Sequence, residues 1–553
     1  MSHQTNYNRR RFLQVSAAGA ALAALPRLSA ATGSSLLRKA TPGFVADVEI
    51  EFSAQASQAR VFEGGPATRV QTYSASLLKG PTSTLRALPD NYLGPILNLQ
   101  QGQKVRIFFN NRLQEPSIIH WHGLHVPQHS DGHPMYSIQP GEQYVYEFEV
   151  LNRAGTSLYH SHAHDLTAEQ VYRGLAGLIV VNDADEAKLD LPRGEFDLPL
   201  VIQDRRFDQH NQLQYLHAMP ERMMGFLGDM ILVNGKPQAE FNVKSRAYRF
   251  RAVNGSNSRI YKLGWDDGTP LTAIGTDAGL LAQPETRPYI MLAPGERVDL
   301  WLDFSGRAVG SRLTLYSLPY SGALPGMHGG MGMMHGKLAQ GAKFPIAVFK
   351  VNERVADSPK LPKTLVPFQR LSEADVDNRD NPIPIALSIR HMRPLLNGLS
   401  FSMDRVMDYE RVALGSIKKI RIFHDHDGSE GEHGGGMGMG RMGGMRRGGR
   451  SHDGEEPGGQ GMGGMMMDMA HPIHLHGQQY QILSRNGANT KAADYATVKD
   501  GFIDSGWKDT VLVMPGEEVS IIKPFQDYKG LFLYHCHNLE HEDLGMMRQY
   551  YIG

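Results

Sequence analysis

The sequence predicts an all-β fold built from three β-sandwich units, and three observations support this prediction. Short alternating runs such as residues 105–109 and 144–150 are separated by turns rich in Gly, Pro and Asn. Long helical periodicity is scarce. A Pro-Gly-Glu tripeptide leads into an apolar strand three times, beginning at Pro140, Pro294 and Pro515. Because each copy also has an earlier partner strand, the repeat indicates three copies of one structural unit.

The length of the chain also requires several domains. At 553 residues the chain is too long for one core, and domains of roughly 150 residues are expected. Acidic stretches with prolines interrupt the strands near residues 182–196 and 352–366. We therefore expect domains at residues 45–185, 195–352 and 364–553. The middle one contains no His-X-His motif, so its expected role is architectural.

The composition excludes a nucleic-acid partner. Lys and Arg together number 57, as do Asp and Glu, so the formal net charge is zero, and no basic stripe is present. A single cysteine excludes internal disulfide bonds. No segment approaches the length of a transmembrane helix, so we expect no stable membrane insertion. We also expect a monomer.

Residues 1–31 have the features of a twin-arginine signal peptide. Three arginines, Arg9, Arg10 and Arg11, precede a short uncharged apolar run, and small residues at Ala30 and Ala31 offer a cleavage site. The alternative is a basic amphipathic tail, but the apolar run is uncharged. We therefore expect export to the periplasm, which in the folded state would suit a protein that carries a buried cofactor.

The only cysteine, Cys536, lies between His535 and His537. In an extended segment the side chains alternate between faces, so both histidines would point one way and the cysteine the other. His541 and Met546 follow the cysteine by five and ten residues. Thiolate, imidazole and a weak axial thioether, completed by a second histidine, form the ligand set of a blue-copper site.

The remaining histidine motifs are spread over the chain. They are His120-Trp121-His122, Tyr159-His160-Ser161-His162-Ala163-His164, and Met469-Ala470-His471-Pro472-Ile473-His474-Leu475-His476. Histidines two apart on a strand share a face, so each pair presents two ligands to one place. Roughly one His-X-His pair is expected by chance in a chain of this composition, whereas four pairs together with the cysteine pattern are specific.

These motifs together resemble the multicopper oxidases, the family of laccases, ascorbate oxidase and bacterial copper-efflux (cuprous) oxidases. The likeness covers nearly the whole mature chain. It implies three cupredoxin-like Greek-key β-sandwich domains and an oxidoreductase that couples one-electron oxidation of a substrate to four-electron reduction of O2 to water. It also implies four copper ions as cofactors, namely one type 1, one type 2 and two type 3 ions.

The resemblance further implies a ligand set for each copper. The expected ligands are His471, Cys536, His541 and axial Met546 for type 1; His120 and His474 for type 2; His122, His162 and His537 for one type 3 copper; and His164, His476 and His535 for the other.

The triple histidine leaves two pairings open. His160 with His162 fits the spacing as well as His162 with His164. The triple-histidine members of the family favour the later pair, so we expect His160 to orient its neighbours.

Carboxylates are needed as well, because reduction of O2 to water consumes four protons. Asp131 and Glu542 occupy positions that match the proton-delivery acids of the family. The alternative is a turn-capping aspartate and a solvated glutamate. A further pair, His424 and His426, has the ligand spacing too, but we expect it to be solvated beside the Met-rich insertion.

Two Gly-rich segments contain many methionines, at residues 327–335 and 433–469. Thioethers are soft ligands that favour Cu(I), so these segments indicate copper recruitment rather than plain flexible insertions. The second segment ends in Met467, Asp468 and Met469, just before His471, and resembles the substrate-copper site of cuprous oxidases.

That correspondence is incomplete, because the acidic residue is displaced by one position. An earlier Met/Asp pair could come from Met403-Asp404 or from Met407-Asp408. We expect oxidation of Cu(I), which would detoxify copper, and of small phenols. The alternatives are a laccase-like phenol oxidase without a role in copper homeostasis and a non-enzymatic copper-binding protein.

Overall fold

Strands dominate the structure, as predicted, and their pairing divides the chain into three consecutive parts with two sheets each. The computed structural model describes residues 36–88, 91–217, 219–324, 338–390, 393–425 and 469–553. The expected signal peptide, the 327–335 segment and nearly all of the 433–469 insertion lie outside these residues. Within the described ranges, no helix is long and apolar enough to cross a membrane.

The first sheet pair contains nine strands. One sheet has the order β2-β1-β5-β7 and the other has the order β3-β4-β9-β8-β6. The strands are β1 (Val48–Ala59), β2 (Thr68–Lys79), β3 (Leu85–Arg86), β4 (Ile96–Gln100), β5 (Lys104–Arg112), β6 (Ile119–His120), β7 (Gln143–Glu149), β8 (Gly155–Ser161) and β9 (Ala176–Asn182).

The middle sheet pair contains twelve strands, in the orders β12-β11-β10-β14-β19-β16-β17 and β13-β21-β20-β15-β18. They are β10 (Asp197–Arg205), β11 (Met230–Val233), β12 (Lys236–Pro237), β13 (Ala239–Lys244), β14 (Ala247–Asn254), β15 (Tyr261–Trp265), β16 (Leu271–Thr276), β17 (Gly279–Arg287), β18 (Ile290–Leu292), β19 (Arg297–Asp303), β20 (Arg312–Ser317) and β21 (Phe344–Glu353).

The third sheet pair contains eleven strands, in the orders β23-β22-β25-β30-β27-β28 and β24-β32-β31-β26-β29. They are β22 (Ile383–Arg390), β23 (Arg393–Leu396), β24 (Arg411–Val412), β25 (Ser416–His424), β26 (His471–Leu475), β27 (Tyr480–Asn486), β28 (Trp507–Lys508), β29 (Thr510–Val513), β30 (Glu518–Phe525), β31 (Gly530–Cys536) and β32 (Met547–Ile552).

One strand arrangement recurs in all three parts and explains the sequence repeat. In each part a parallel pair is followed by an antiparallel strand, which gives β1-β5-β7, β10-β14-β19 and β22-β25-β30. Each Pro-Gly-Glu tripeptide lies in the turn just before the third of these strands. The glycine in that turn has a positive φ of 74 to 84° in every copy, which glycine adopts without strain.

Alternating apolar residues build the sandwich cores. In β5 the side chains of Val105, Ile107 and Phe109 are fully buried, while their neighbours in sequence are less buried or exposed. This is the period of two that a half-buried strand requires. Two further apolar clusters join the sheet pairs. One contains Val180 of the first sheet pair and Val201 of the middle one, and the other contains Met291 of the middle sheet pair and Leu512 of the third.

The described residues form four short α-helices. They are α1 (Thr167–Arg173), α2 (Met219–Met224), α3 (Ala492–Tyr495) and α4 (Leu539–Asp543). The carboxylate of Asp543 accepts hydrogen bonds from the backbone N–H groups of Thr167 and Ala168 at 3.1 and 2.9 Å, at the start of α1. This contact joins the first sheet pair to the segment that follows Cys536.

Candidate metal centres

Strand β31 presents two different faces, as the sequence predicts. It pairs antiparallel with β32 on one side and with β26 on the other, where Ile473 lies opposite Cys536 and His474 opposite His535. Cys536 therefore packs into the core of the third sheet pair, whereas His535 and His474 lie on the opposite face. The spacing of three between His471 and His474 has the same effect, because residues three apart on a strand point to opposite faces.

The core-facing side carries the four residues predicted as type 1 copper ligands. The Sγ atom of Cys536 lies 3.5 Å from Nδ1 of His471 and 3.9 Å from Nδ1 of His541. Met546 is fully buried in the same apolar cluster. His541 donates its Nε2 proton to the carbonyl oxygen of Met223 at 2.9 Å, which directs its Nδ1 toward the sulfur.

Burial shapes the protonation of these ligands. It raises the pKa of the Cys536 thiol, lowers the pKa of His541 to about 4 and holds that of His471 well below the usual range. Both imidazoles are therefore neutral at neutral pH. A buried thiol beside two neutral imidazoles can bind a soft metal cation. The cation displaces the thiol proton and is then held by the thiolate and the two imidazoles.

On the opposite face, eight histidines from the first and third sheet pairs converge, and none is more than 4% exposed. This eight-histidine cluster consists of His120, His122, His160, His162, His474, His476, His535 and His537. Its ring nitrogens approach closely, with 3.3 Å between Nε2 of His120 and His474 and 3.1 Å between Nε2 of His476 and His535.

Several of these buried nitrogens have no hydrogen-bond partner among the described residues. They include Nδ1 of His122, Nε2 of His160 and both ring nitrogens of His537. A buried polar atom without a hydrogen bond raises the free energy of the folded state. These nitrogens therefore indicate a partner that the described chain does not supply. Burial also lowers the pKa of His122 and His537, which keeps the imidazoles in the neutral form that binds metal. The cluster therefore fits copper ions, for which imidazole is a suitable ligand.

The expected place of His164 in this cluster is wrong. Its side chain is 42% exposed, its Nδ1 lies 3.1 Å from Asp165, and its ring packs against Phe401. His160 is buried instead and is the cross-strand partner of His120. Strand β8 ends at Ser161 and the backbone turns at Asp165, whose φ is +62°, so the alternation that would align His164 with the pair no longer applies.

With His160 in the cluster in place of His164, both expected type 3 groups shift by one histidine. The ring of His160 lies 5.7 Å from that of His122 and 5.4 Å from that of His537. The ring of His162 lies 5.2 Å from those of both His476 and His535. His160 therefore takes the place expected for His162, and His162 takes the place expected for His164.

Both predicted acids lie at the cluster. Asp131 is buried and its Oδ2 accepts a hydrogen bond from Nδ1 of His476 at 2.7 Å. Glu542 is also buried, with its Oε2 atom 3.0 Å from Nδ1 of His535 and its Oε1 atom 3.4 Å from Nε2 of His162. These positions do not match a turn-capping aspartate or a solvated glutamate. Burial raises the pKa of Asp131 well above its usual range.

One residue near the sites was not identified from the sequence, and the surroundings expected for another were wrong. Asp509, whose Oδ1 atom lies 3.0 Å from Nε2 of His122, follows no histidine motif and gave no signal. We expected His424 to be solvated, but its side chain is buried. Its Nε2 lies 3.1 Å from the carbonyl oxygen of Met469, and its ring lies 5.7 Å from that of His471. Its former partner in the motif, His426, is outside the described residues.

The residues of the expected substrate-copper site are only partly described. Met469 is 2% exposed and is separated from His471 by a single residue. Met467 and Asp468 lie outside the described residues. Of the earlier candidate pairs, Asp404 and Asp408 are exposed.

Comparison with known proteins identifies the family. Multicopper oxidase domains match residues 69–186 and 462–553, which carry all the histidine motifs of the two sites. The multicopper oxidase McoA from Aquifex aeolicus is 30% identical, covers 92% of this chain and 97% of its own, and superposes with a TM-score of 0.71.

Other relatives agree. The Bacillus subtilis laccase is 29% identical over 87% of this chain and 90% of its own length. The laccase-like multicopper oxidase CueO from an Ochrobactrum species is 26% identical, covers 91% of this chain and 97% of its own, and has a TM-score of 0.68. The three sheet pairs are thus cupredoxin-like β-sandwiches, as predicted. This chain belongs to the multicopper oxidase family, a family of copper-dependent oxidoreductases.

Proposed function

We propose that this protein oxidises Cu(I) and small phenols and passes the electrons to O2, which is reduced to water. The observation that carries the proposal is the position of Cys536. Its side chain lies among the type 1 ligands, while its covalent neighbours His535 and His537 belong to the eight-histidine cluster. One tripeptide therefore joins a site suited to accepting single electrons to a site suited to binding O2.

The proposed ligands follow the corrected geometry. They are His471, Cys536, His541 and axial Met546 for type 1; His120 and His474 for type 2; His122, His160 and His537 for one type 3 copper; and His162, His476 and His535 for the other. When bound, the four copper ions would supply one-electron acceptance at the first site and four-electron reduction of O2 at the second.

The two carboxylates orient ligands and are proposed to carry protons. Asp131 accepts the Nδ1 proton of His476, which leaves Nε2 of that ring free to face the cluster. Oε2 of Glu542 lies 3.0 Å from Nδ1 of His535, a nitrogen that is also 3.2 Å from the carbonyl oxygen of Cys536. Each acid thus lies against imidazoles that surround the place where O2 is proposed to be reduced, and it would deliver a proton directly or through one intervening water.

The choice of reductant rests on the chain near His471. Met469 is buried two residues before this ligand, and its carbonyl oxygen contacts His424, whose ring lies beside His471. A thioether at this position favours Cu(I). The Ochrobactrum relative has oxidase activity towards lignin model compounds, which supports phenols as a second class of reductant.

We further propose that the twin-arginine segment directs the protein to the periplasm, where Cu(I) oxidation would limit copper toxicity. A laccase-like enzyme without this role is the second candidate, supported by the likeness to laccases.

Stopped-flow oxidation of Cu(I) and of a simple phenol, measured side by side with oxygen uptake, tests the proposal. Rapid oxidation of both reductants is expected. Oxidation of the phenol alone would favour the laccase-like alternative, and absence of oxygen uptake by the copper-loaded protein would contradict both.

A further inference from the structure

The Pro-Gly-Glu turn of the middle sheet pair lies directly against the eight-histidine cluster. A Cβ atom built on Gly295 would be 2.9 Å from Cδ2 and Nε2 of His537 and 3.0 Å from Cε1 of His122. Real Cβ atoms essentially never approach another heavy atom more closely than 3.0 Å, and the φ of Gly295 is +80°, so any other residue here would be strained and would displace the imidazole of His537. The equivalent glycine of the first sheet pair, Gly141, has a similar φ and no atom of the described chain within 4 Å of its Cβ position.

The residue after this turn, Arg297, is fully buried and connects all three sheet pairs. Its Nη1 and Nη2 atoms bind the carboxylate oxygens of Asp509 in the third sheet pair at 2.7 and 2.5 Å. Its Nε atom donates to the carbonyl oxygen of Thr156 in the first sheet pair at 3.1 Å, and Nη1 also donates to that of Gly295 at 2.9 Å. A bidentate arginine holds a carboxylate in one orientation.

Asp509 transmits this orientation to a cluster histidine. Its Oδ1 atom lies 3.0 Å from Nε2 of His122, and the hydroxyl of Thr510 donates to the same oxygen at 2.9 Å. A carboxylate only accepts, so His122 carries its proton on Nε2 and presents Nδ1. That Nδ1 is one of the unpaired nitrogens of the cluster.

Other acids of the middle sheet pair hold the same segment. The ammonium group of Lys508 lies 2.9 Å from Oδ2 of Asp277 and 3.1 Å from Oε1 of Glu296. Asp277 also accepts the backbone N–H of Arg297 at 2.8 Å. The backbone N–H of Thr510 also donates to Oδ2 of Asp277 at 3.3 Å. The residues before and after Asp509 are therefore both held by the sheet pair that carries no proposed copper ligand.

We propose that the turn at residues 294–297 lines the trinuclear copper site and that Arg297 is a positioning residue for it. Arg297 holds Asp509, Asp509 selects the tautomer in which His122 presents Nδ1 to copper, and the absent side chain of Gly295 leaves room for His122 and His537. The middle sheet pair thus has a direct part in copper binding. This inference rests on the proposed function, because it takes the eight histidines as copper ligands.

Two pairs of variants test the inference in the copper-loaded full chain. Gly295→Ala is matched by Gly141→Ala, which changes the same tripeptide at a similar φ without a nearby histidine. Arg297→Lys is matched by Arg249→Lys, because Arg249 is also fully buried and forked onto Asp299 but contacts no cluster residue in the described structure. The readouts are copper per chain, the blue absorption of type 1 copper, the electron paramagnetic resonance signal of type 2 copper, and Tm.

We expect Gly295→Ala and Arg297→Lys to lose type 2 and type 3 copper while keeping the blue absorption, with cluster copper bound about 10- to 100-fold more weakly. Gly141→Ala and Arg249→Lys should change only Tm. A merely structural role for Arg297 would lower Tm and reduce all four coppers equally, which would overturn the inference.

If Gly295→Ala does not fold, Asp509→Asn takes its place, since the amide keeps the shape but can donate to Nε2 of His122. Full cluster copper in both Arg297→Lys and Asp509→Asn would overturn the inference. Failure of the wild-type protein to bind cluster copper would instead overturn the proposed function.

Discussion

His120 and His474 are 354 residues apart in the chain, yet their Nε2 atoms lie 3.3 Å apart. The first belongs to β6 of the first sheet pair and the second to β26 of the third. The proposed type 2 site therefore exists only where these two sheet pairs pack together. Neither sheet pair alone contains the eight-histidine cluster, whereas the proposed type 1 ligands all come from the third sheet pair.

Replacement of the cysteine should remove the blue absorption without unfolding the protein. Cys536→Ser is expected to abolish the blue absorption and oxidase turnover, because the thiolate is the strongest type 1 donor and joins the two sites. The sandwich cores rest on apolar burial elsewhere, so circular dichroism should remain that of a β protein. Phenol oxidation at near wild-type rate would contradict the assignment.

The triple histidine gives a prediction with an internal control. His160→Ala should lose trinuclear copper and oxygen reduction while keeping the type 1 colour, since His160 is buried beside His122 and His537. His164→Ala should retain copper and change the free energy of unfolding by no more than about 0.5 kcal/mol, as expected for an exposed side chain. Copper analysis with oxygen uptake distinguishes the two, and reversed severities would restore the pairing of His162 with His164.

The two acids should affect turnover more than copper content. Asp131→Asn and Glu542→Gln keep the side-chain shape but cannot carry a proton, so oxygen reduction is expected to fall by about 10²-fold or more. Four coppers per chain should remain. An oxygen electrode and metal analysis provide the measurement, and unchanged oxygen reduction in both variants would remove these residues from proton transfer.

The Met-rich insertion should determine how fast Cu(I) is oxidised relative to bulky phenols. Deletion of residues 433–462, which lie outside the described residues, is expected to lower Cu(I) oxidation and to raise activity on bulky phenols when no copper is added. Its thioethers would concentrate a soft cation, and the segment leads directly to His471. Unchanged rates with both reductants would favour the laccase-like alternative.

A buried histidine outside the copper sites should make stability depend on pH. His133 donates from Nε2 to Gln549 at 2.8 Å and accepts the backbone N–H of Met135 on Nδ1 at 3.2 Å, so it must be neutral. Burial lowers its pKa to about 4. The unfolded chain, with a histidine pKa of about 6.5, binds more protons between these values.

The contribution of His133 is therefore complete above about pH 6.5 and is lost as the pH falls toward 4, by about 3 kcal/mol at most. We expect the Tm of the wild-type protein to decrease more between pH 7 and pH 5 than that of His133→Gln, whatever their difference at pH 7. Parallel decreases in calorimetric scans would show that His133 does not titrate in this range.

Much of the fold and of the type 1 site was predictable because it depends on local pattern. Alternation along a strand places side chains on known faces, which predicted that Cys536 and His535 would serve different sites. The stretch from Cys536 to His541 and Met546 contains only the short helix α4 and the residues beside it, so packing within one sheet pair brings these residues together. The repeated Pro-Gly-Glu turns likewise indicated three units, because each precedes the same strand of the repeated arrangement.

The sequence by itself determined the donor types, the alternation of β31 and the number of sandwich units, since each follows from the backbone geometry of a few successive residues. Only the tertiary structure decided that His160 rather than His164 joins the cluster, because the choice depends on where β8 ends against the third sheet pair. It alone showed that Asp509 contacts His122, which lies 387 residues earlier in the chain, and Arg297, which lies 212 residues earlier. Such contacts depend on how separate sheets pack, and no local period of the sequence contains that information.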